Sequence, residues 1–183
     1  MNDNDNRIHQ TGIRCREMMA QCINDFAVGG AARQLYADLQ AGIVHFEQVA
    51  AAHGAGLSEA HAGTKGRGEA RAALKALLDL IRAAAKVMGI QDSFPLATTD
   101  NDDDLLQAAD VYAAHATPRK ADFIAHELPP DFLEQLAAAK AAFEAAIAEQ
   151  MNSKGDHISA REELDDAGEN IVAIIRKLPN WSK

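Results

Sequence analysis

Apolar residues recur every three or four positions through most of this chain, and that spacing is the signature of helices with one buried face. Leu35, Leu39, Gly42/Ile43, Phe46, Val49/Ala50 and His53 follow it, as do Leu74, Leu77, Leu78, Ile81, Ala85 and Met88. Alanine, the best helix former, makes up about one residue in five. Val and Ile, the usual material of strands, are sparse and aromatics reach only 5%. The pattern predicts an all-α protein, an antiparallel up-and-down bundle of five or six helices in a single domain over 1–183. A linker is expected near 89–102.

The first helix is expected from about Arg7 to Val28, with Ile8, Cys15, Met18 or Met19, Cys22 and Phe26 inward and Gly29-Gly30 ending it. The second runs from about Ala31 to the His53–Gly56 region. The glycine-rich segment "HGAGLSEAHAGTKGRGE" then loosens the pattern, with Ser58 placed to cap a short continuation through His61. A third helix is expected from about Gly68 to Met88, closed by Gly89. In the linker, Phe94 and Leu96 are apolar enough to pin the chain, and Pro95 pushes Phe94 toward an extended conformation. A fourth stretch, Asp102 to Leu128, carries Leu105, Leu106, Ala109, Tyr112, Ala113, Ala116, Phe123 and Ile124, with an interruption at Pro118.

"ELPPDFL" joins a stop signal to a start signal. Prolines are welcome at a helix start, and Asp131 and Glu134 complement its dipole. Phe132, Leu133, Leu136, Phe143 and Ile147 then line a helix to about Asn152. The last helix is expected near Asp156 or Ser159, where "SARE" (Ser159 to Glu162) matches a capping box. Its inward residues are Ile158, Leu164, Ile171, Ile174, Ile175 and Leu178. Pro179 ends it, leaving Trp181 in a short tail.

The stretches "HELPPDFLEQLAAAKAAFEAAIAEQ", "GEARAALKALLDLIRAAAK" and "QLYADLQAGIVHFE" resemble uncharacterised bacterial, alanine-rich, all-helical proteins in which a Pro-x-Asp-Phe-Leu type corner precedes an Ala/Phe/Glu-rich helix. The resemblance implies a bacterial helical protein. It carries no known activity and supplies no site residues.

Several chemistries fail on spacing. A di-iron bundle needs Glu-x-x-His, which puts both ligands on one face. The residues three before His9, His45, His53, His61, His115, His126 and His157 are Asn6, Gly42, Ala50, Ser58, Tyr112, Phe123 and Lys154, none a carboxylate. His45, His53 and His61 recur every eight residues, a rotation of about 80° per step that keeps them off one face. "DNDDDLLQAADV" places Asp100, Asp102 and Asp104 like a calcium loop, but Leu105 stands where glycine is needed and Val111 where glutamate is. Acidic residues at a helix start explain the run. "GTKGRGEAR" lacks the GxxxxGK[ST] order of a phosphate loop. Lys65, Arg67, Arg71, Lys75, Arg82 and Lys86 nevertheless concentrate positive charge, read as a solvated face with an anion site at the helix start as its alternative. Cys15 and Cys22, seven apart on one helix, are separated by a rise of about 10 Å and cannot bridge within it, so buried thiols are expected.

A net charge of −9 opposes nucleic acid and anionic membranes. No apolar run approaches the roughly 20 residues of a membrane span. The expectation is a cytoplasmic, non-enzymatic bundle acting through a protein partner or self-association. No catalytic, cofactor-binding or metal residue is assigned, and no cofactor. The alternative is a small-ligand, anion or metal pocket between helices, drawing on His45, His53, Asp122 or His126.

Overall fold

In the computed structural model, which describes residues 2–95 and 101–178, α1 (Asp3–Cys22) starts four residues before the expected position. Asn2 and Asp5 explain this. The Asn2 side chain accepts from the Asp5 N–H at 2.9 Å, and the Asp5 carboxylate accepts from the Asn2 N–H at 3.1 Å. This is a reciprocal capping box built from Asn and Asp. The helix also ends early, in a 3-10 turn at Ile23–Asp25.

Beyond Gly29 the chain is helical from Ala31 to Val87, here α2, with no break at the glycine-rich segment. Two helices expected there are one. Ser58 is no cap: its hydroxyl donates back to the Gly54 carbonyl at 3.2 Å inside the helix. Glycine lowers helix propensity without forbidding helix, and burial along the rest of α2 prevails. Gly54 and Gly68 are exposed, and a methyl group at either meets nothing within 4 Å. Gly54→Ala and Gly68→Ala are each expected to stabilise the fold by about 0.5–1 kcal/mol in urea denaturation. Destabilisation by either would contradict an unobstructed helical backbone at these positions.

Gly89, at φ 72, closes α2 as expected. The N–H of Ile90 reaches back to the Ala85 carbonyl at 2.9 Å, which needs the left-handed conformation at Gly89. A 3-10 turn at Gln91–Ser93 follows. Phe94 is fully buried, as its role as a pin requires; Leu96 lies outside the described residues. Then come α3 (Asp102–Ala116), a 3-10 turn at Thr117–Arg119 that contains the interrupting Pro118, and α4 (Lys120–Ala125). The "ELPP" corner ends α4 with a left-handed Glu127 (φ 69), whose neighbour Leu128 donates to the Phe123 carbonyl at 3.1 Å. The final helix, α5 (Phe132–Lys177), starts after both prolines and runs through "SARE" without a break. Ser159 and Glu162 therefore lie inside a helix. Ile158, expected inward, is 59% exposed, and Ile124 is also on the surface. Among the described residues there is no strand.

Contacts divide the chain into two compact units, Met1–Ala60 with Ser153–Lys183, and His61–Asn152. The first is built by α1, residues 31–60 and residues 153–177. Met19, Leu39, Ile43, Phe46, Leu164 and Ile171 make its core. Gly12 keeps the helices close there: a methyl on it meets the Ile171 side chain at 3.2 Å. In the second unit Leu74, Leu78 and Ile81 of α2 pack with Tyr112, Phe123, Phe132, Leu136 and Phe143.

Candidate functional site

The first unit holds a charge cluster assembled from its two ends. Asp5, in the first turn of α1, is 3% exposed. A carboxylate so placed needs a partner, and Arg161 of α5 supplies one. Its Nη1 donates to Asp5 Oδ2 at 2.7 Å and its Nη2 to Oδ1 at 3.3 Å. The other side of the guanidinium grips Asp165, with Nη2 to Oδ1 at 2.6 Å and Nε to Oδ2 at 3.2 Å. Burial alone would raise the Asp5 pKa. The bonds from Arg161 and Asn2 and the positive charge of Arg161 outweigh it, and the carboxyl sits below its ordinary range.

One turn before Arg161 stands His157, facing His53 of α2. Their ring centroids are 4.7 Å apart and tilted by 56°. His53 is 9% exposed, and His157 Nδ1 is buried without a hydrogen-bond partner. The helices are close here: a methyl on Gly56 would make ordinary contact with the His157 Cα, at 3.7 Å. Burial first, then the charges of His157 and Arg161, push the His53 pKa down, against a smaller opposing pull from Asp5. His9, on α1, stacks on Phe46 at 5.5 Å and donates through Nε2 to Glu47 at 2.9 Å.

Beside the cluster runs a groove of about 560 Å³ between α1 and α5. Ile8, Phe46, Leu164 and Val172 line it with apolar surface, while Asp5, Asp165, Glu169 and Arg176 add charge of both signs. A shallower recess of about 260 Å³, bounded by Arg7, Thr11 and Ile175, shares Ile8, Val172 and Arg176 with it.

Of the pocket residues expected from sequence, only His53 is buried in a polar cluster. His45, Asp122 and His126 are exposed. Asp122 and His126 meet through the backbone, the His126 N–H donating to the Asp122 carbonyl at 3.1 Å where α4 ends. His53 belongs to one unit and Asp122 and His126 to the other. Among the described residues, no three His, Cys, Asp or Glu side chains gather to hold a metal ion. Cys15 and Cys22, expected buried, are free and half-buried; burial raises the Cys15 pKa.

The basic run has no helix start for an anion, because Gly68 is inside α2. Among the described residues, five of its six charges, all but Lys86, have partners within the second unit. Arg67 binds Asp102 and donates to Gln150 Oε1 at 2.5 Å; Arg71 Nε lies 3.3 Å from Asp102. Arg82 Nε donates to the Phe94 carbonyl at 2.9 Å. Lys65–Glu69 and Lys75–Asp79 are exposed pairs at 3.7 and 4.0 Å. The aspartates read as a helix start do open α3, capped by Asn101; Asp100 lies outside the described residues.

Sequence reasoning missed Asp5, His157 and Arg161. With a break expected near Asp156, the last two do not share a helix with Ser153. On a continuous α5, Ser153, His157, Arg161 and Leu164 repeat every three or four residues on one face, and that spacing was the available signal.

The fold and the cluster together define an all-α chain with an interhelical groove beside a buried ion pair. Compared with protein-family models, curated proteins and solved structures, the chain matches none. No helix among the described residues is long and apolar enough to cross a membrane.

Proposed function

We propose that this chain is a non-enzymatic binding module whose working face is the groove between α1 and α5, and that its partner is a basic, amphipathic protein segment. The observation that carries this reading is the groove itself, with apolar side chains on α1, α2 and α5 and Asp165, Glu169 and Arg176 at its edge. An amphipathic helix laid in such a groove buries its apolar stripe and leaves its charged face outside. The net charge of −9 favours a cationic partner by steering its approach. Within the first unit, paired positions run in opposite order along α1 and α2 (His9 with Glu47, Gly12 with Ile43) and along α2 and α5 (Gly42 with Ile171, His53 with His157). That supports the antiparallel, up-and-down reading of the helices.

Titration of isotope-labelled protein with a designed Leu/Lys amphipathic peptide tests the proposal. A Leu/Glu peptide of the same pattern is the control. The cationic peptide is expected to shift the amide resonances of Ile8, Val172 and Ala173 with micromolar affinity that weakens in salt. Ala173→Trp, at an exposed groove position, is expected to weaken it at least about tenfold, a loss of about 1.4 kcal/mol. Shifts confined to other surfaces, or equal binding of both peptides, would count against the groove.

A further inference from the structure

The His53–His157 contact has a chemistry that the groove does not use. Two imidazoles face each other where α2 and α5 approach closely, one of them with a buried ring nitrogen that lacks a partner. As neutral rings they pack. A proton on either places a cation among other cations. The charged groups around the pair are Asp5 on the α1 side and Arg161 on α5, with Asp165 on the far side of that guanidinium. The His9–Glu47 pair lies further along α1 and α2. Among the described residues, Asp5 is the carboxylate that acts on His53, and it is already held by Arg161 and Asn2.

A protonated pair therefore has two ways to relax. The rings separate, or a histidinium competes with Arg161 for Asp5. The second loosens Asp5–Arg161, the bond that ties the first turn of α1 to α5. We propose that His53 and His157 form a proton-operated latch: mild acid breaks their contact and releases the N-terminal turns of α1 while the core of the unit stays folded. Asn4, Asp5 and Ile8 on those turns wall the groove, so the latch opens one side of it. The latch stands whether or not the groove binds a peptide.

Hydrogen exchange of the full chain, corrected for intrinsic rates, tests this between about pH 7.5 and about pH 5, the span in which histidine changes charge. Protection of residues 3–10 is expected to fall about tenfold, the equivalent of one pKa unit. Protection of residues 39–46, in the core of the same unit, and of residues 103–110 in the other is expected to hold. His53→Gln and His157→Gln are each expected to flatten the response of residues 3–10. Equal losses at 3–10 and 39–46 would mean general destabilisation and overturn the latch, as would an unchanged pH response in both variants. A titration of the wild-type histidine ring protons gives a reading that needs no variant. Midpoints of His53 or His157 coinciding with shifts of the Asp5 and Ile8 amides support the latch, and movement of those amides independent of both rings refutes it.

Discussion

Replacing Phe94 with alanine is expected to destabilise the second unit by about 3–5 kcal/mol, the usual range for emptying a buried phenylalanine site. Phe94 has no exposed surface. Its ring meets Tyr112 edge-on at 5.2 Å and Phe123 at 5.6 Å, and Phe123 continues to Phe132 at 5.6 Å. The segment after α2 is thus fastened to α3, α4 and the start of α5 through one side chain. Its backbone is fastened as well: the Phe94 carbonyl accepts from Arg82, and the Tyr112 hydroxyl donates to the Pro95 carbonyl at 2.6 Å. Those bonds need the carbonyls where the ring puts them, which places the expected loss toward the upper end. Phe94→Leu, which keeps much of the volume, is expected to cost far less. Urea denaturation followed through the second unit measures both, and a loss under about 1 kcal/mol for the alanine variant would show that the cluster closes without Phe94.

Arg161→Ala is expected to cost about 3 kcal/mol at neutral pH, because it strands a buried carboxylate. The figure is at the low end of the range for broken buried pairs because the Arg161 side chain is 31% exposed, against 4% for Asp5. The sign of the pH dependence follows from Asp5, whose folded pKa is below its ordinary value of 3.8. A carboxyl depressed on folding contributes stability that is fully present above its unfolded pKa and is lost as pH falls through the folded one. Wild type and variant are therefore expected to differ most near neutrality and to converge below about pH 3.8. His53 adds a separate slope. Its folded pKa lies below the ordinary 6.5, so its contribution is complete above that value and shrinks as pH falls beneath it. Chemical denaturation of both proteins across pH separates the two. A difference that stays constant into acid would mean that Asp5 is not the group Arg161 neutralises.

The helical class was legible because an apolar stripe every three or four residues has no other economical burial, and most stripe residues are buried as read. Helix ends were less legible. Glycines at 54, 56, 66 and 68 and the "SARE" box are local signals of weak helix or of helix start, and local signals yield where packing on both sides favours continuation. The early start at Asp3 was written in Asn2 and Asp5, a less familiar pairing for a reciprocal cap. The candidate site was the least legible part. Asp5 and Arg161 are 156 positions apart, and no periodicity links residues at that distance. His53 was legible as an inward position; its partner was not, because His157 falls beside the break that α5 does not have.

The division of the chain has a consequence for its biosynthesis. The segment His61–Asn152 is continuous, so a ribosome delivers every residue of that unit before the other unit has received Ser153 onward. Units of this kind tend to fold as they emerge. Residues 1–60 must wait, with Leu39, Ile43 and Phe46 lacking the Leu164 and Ile171 that cover them, until those two residues have been made. During that interval they present unburied apolar surface, and a nascent chain stalled near residue 150 is the state most exposed to chaperones and to aggregation.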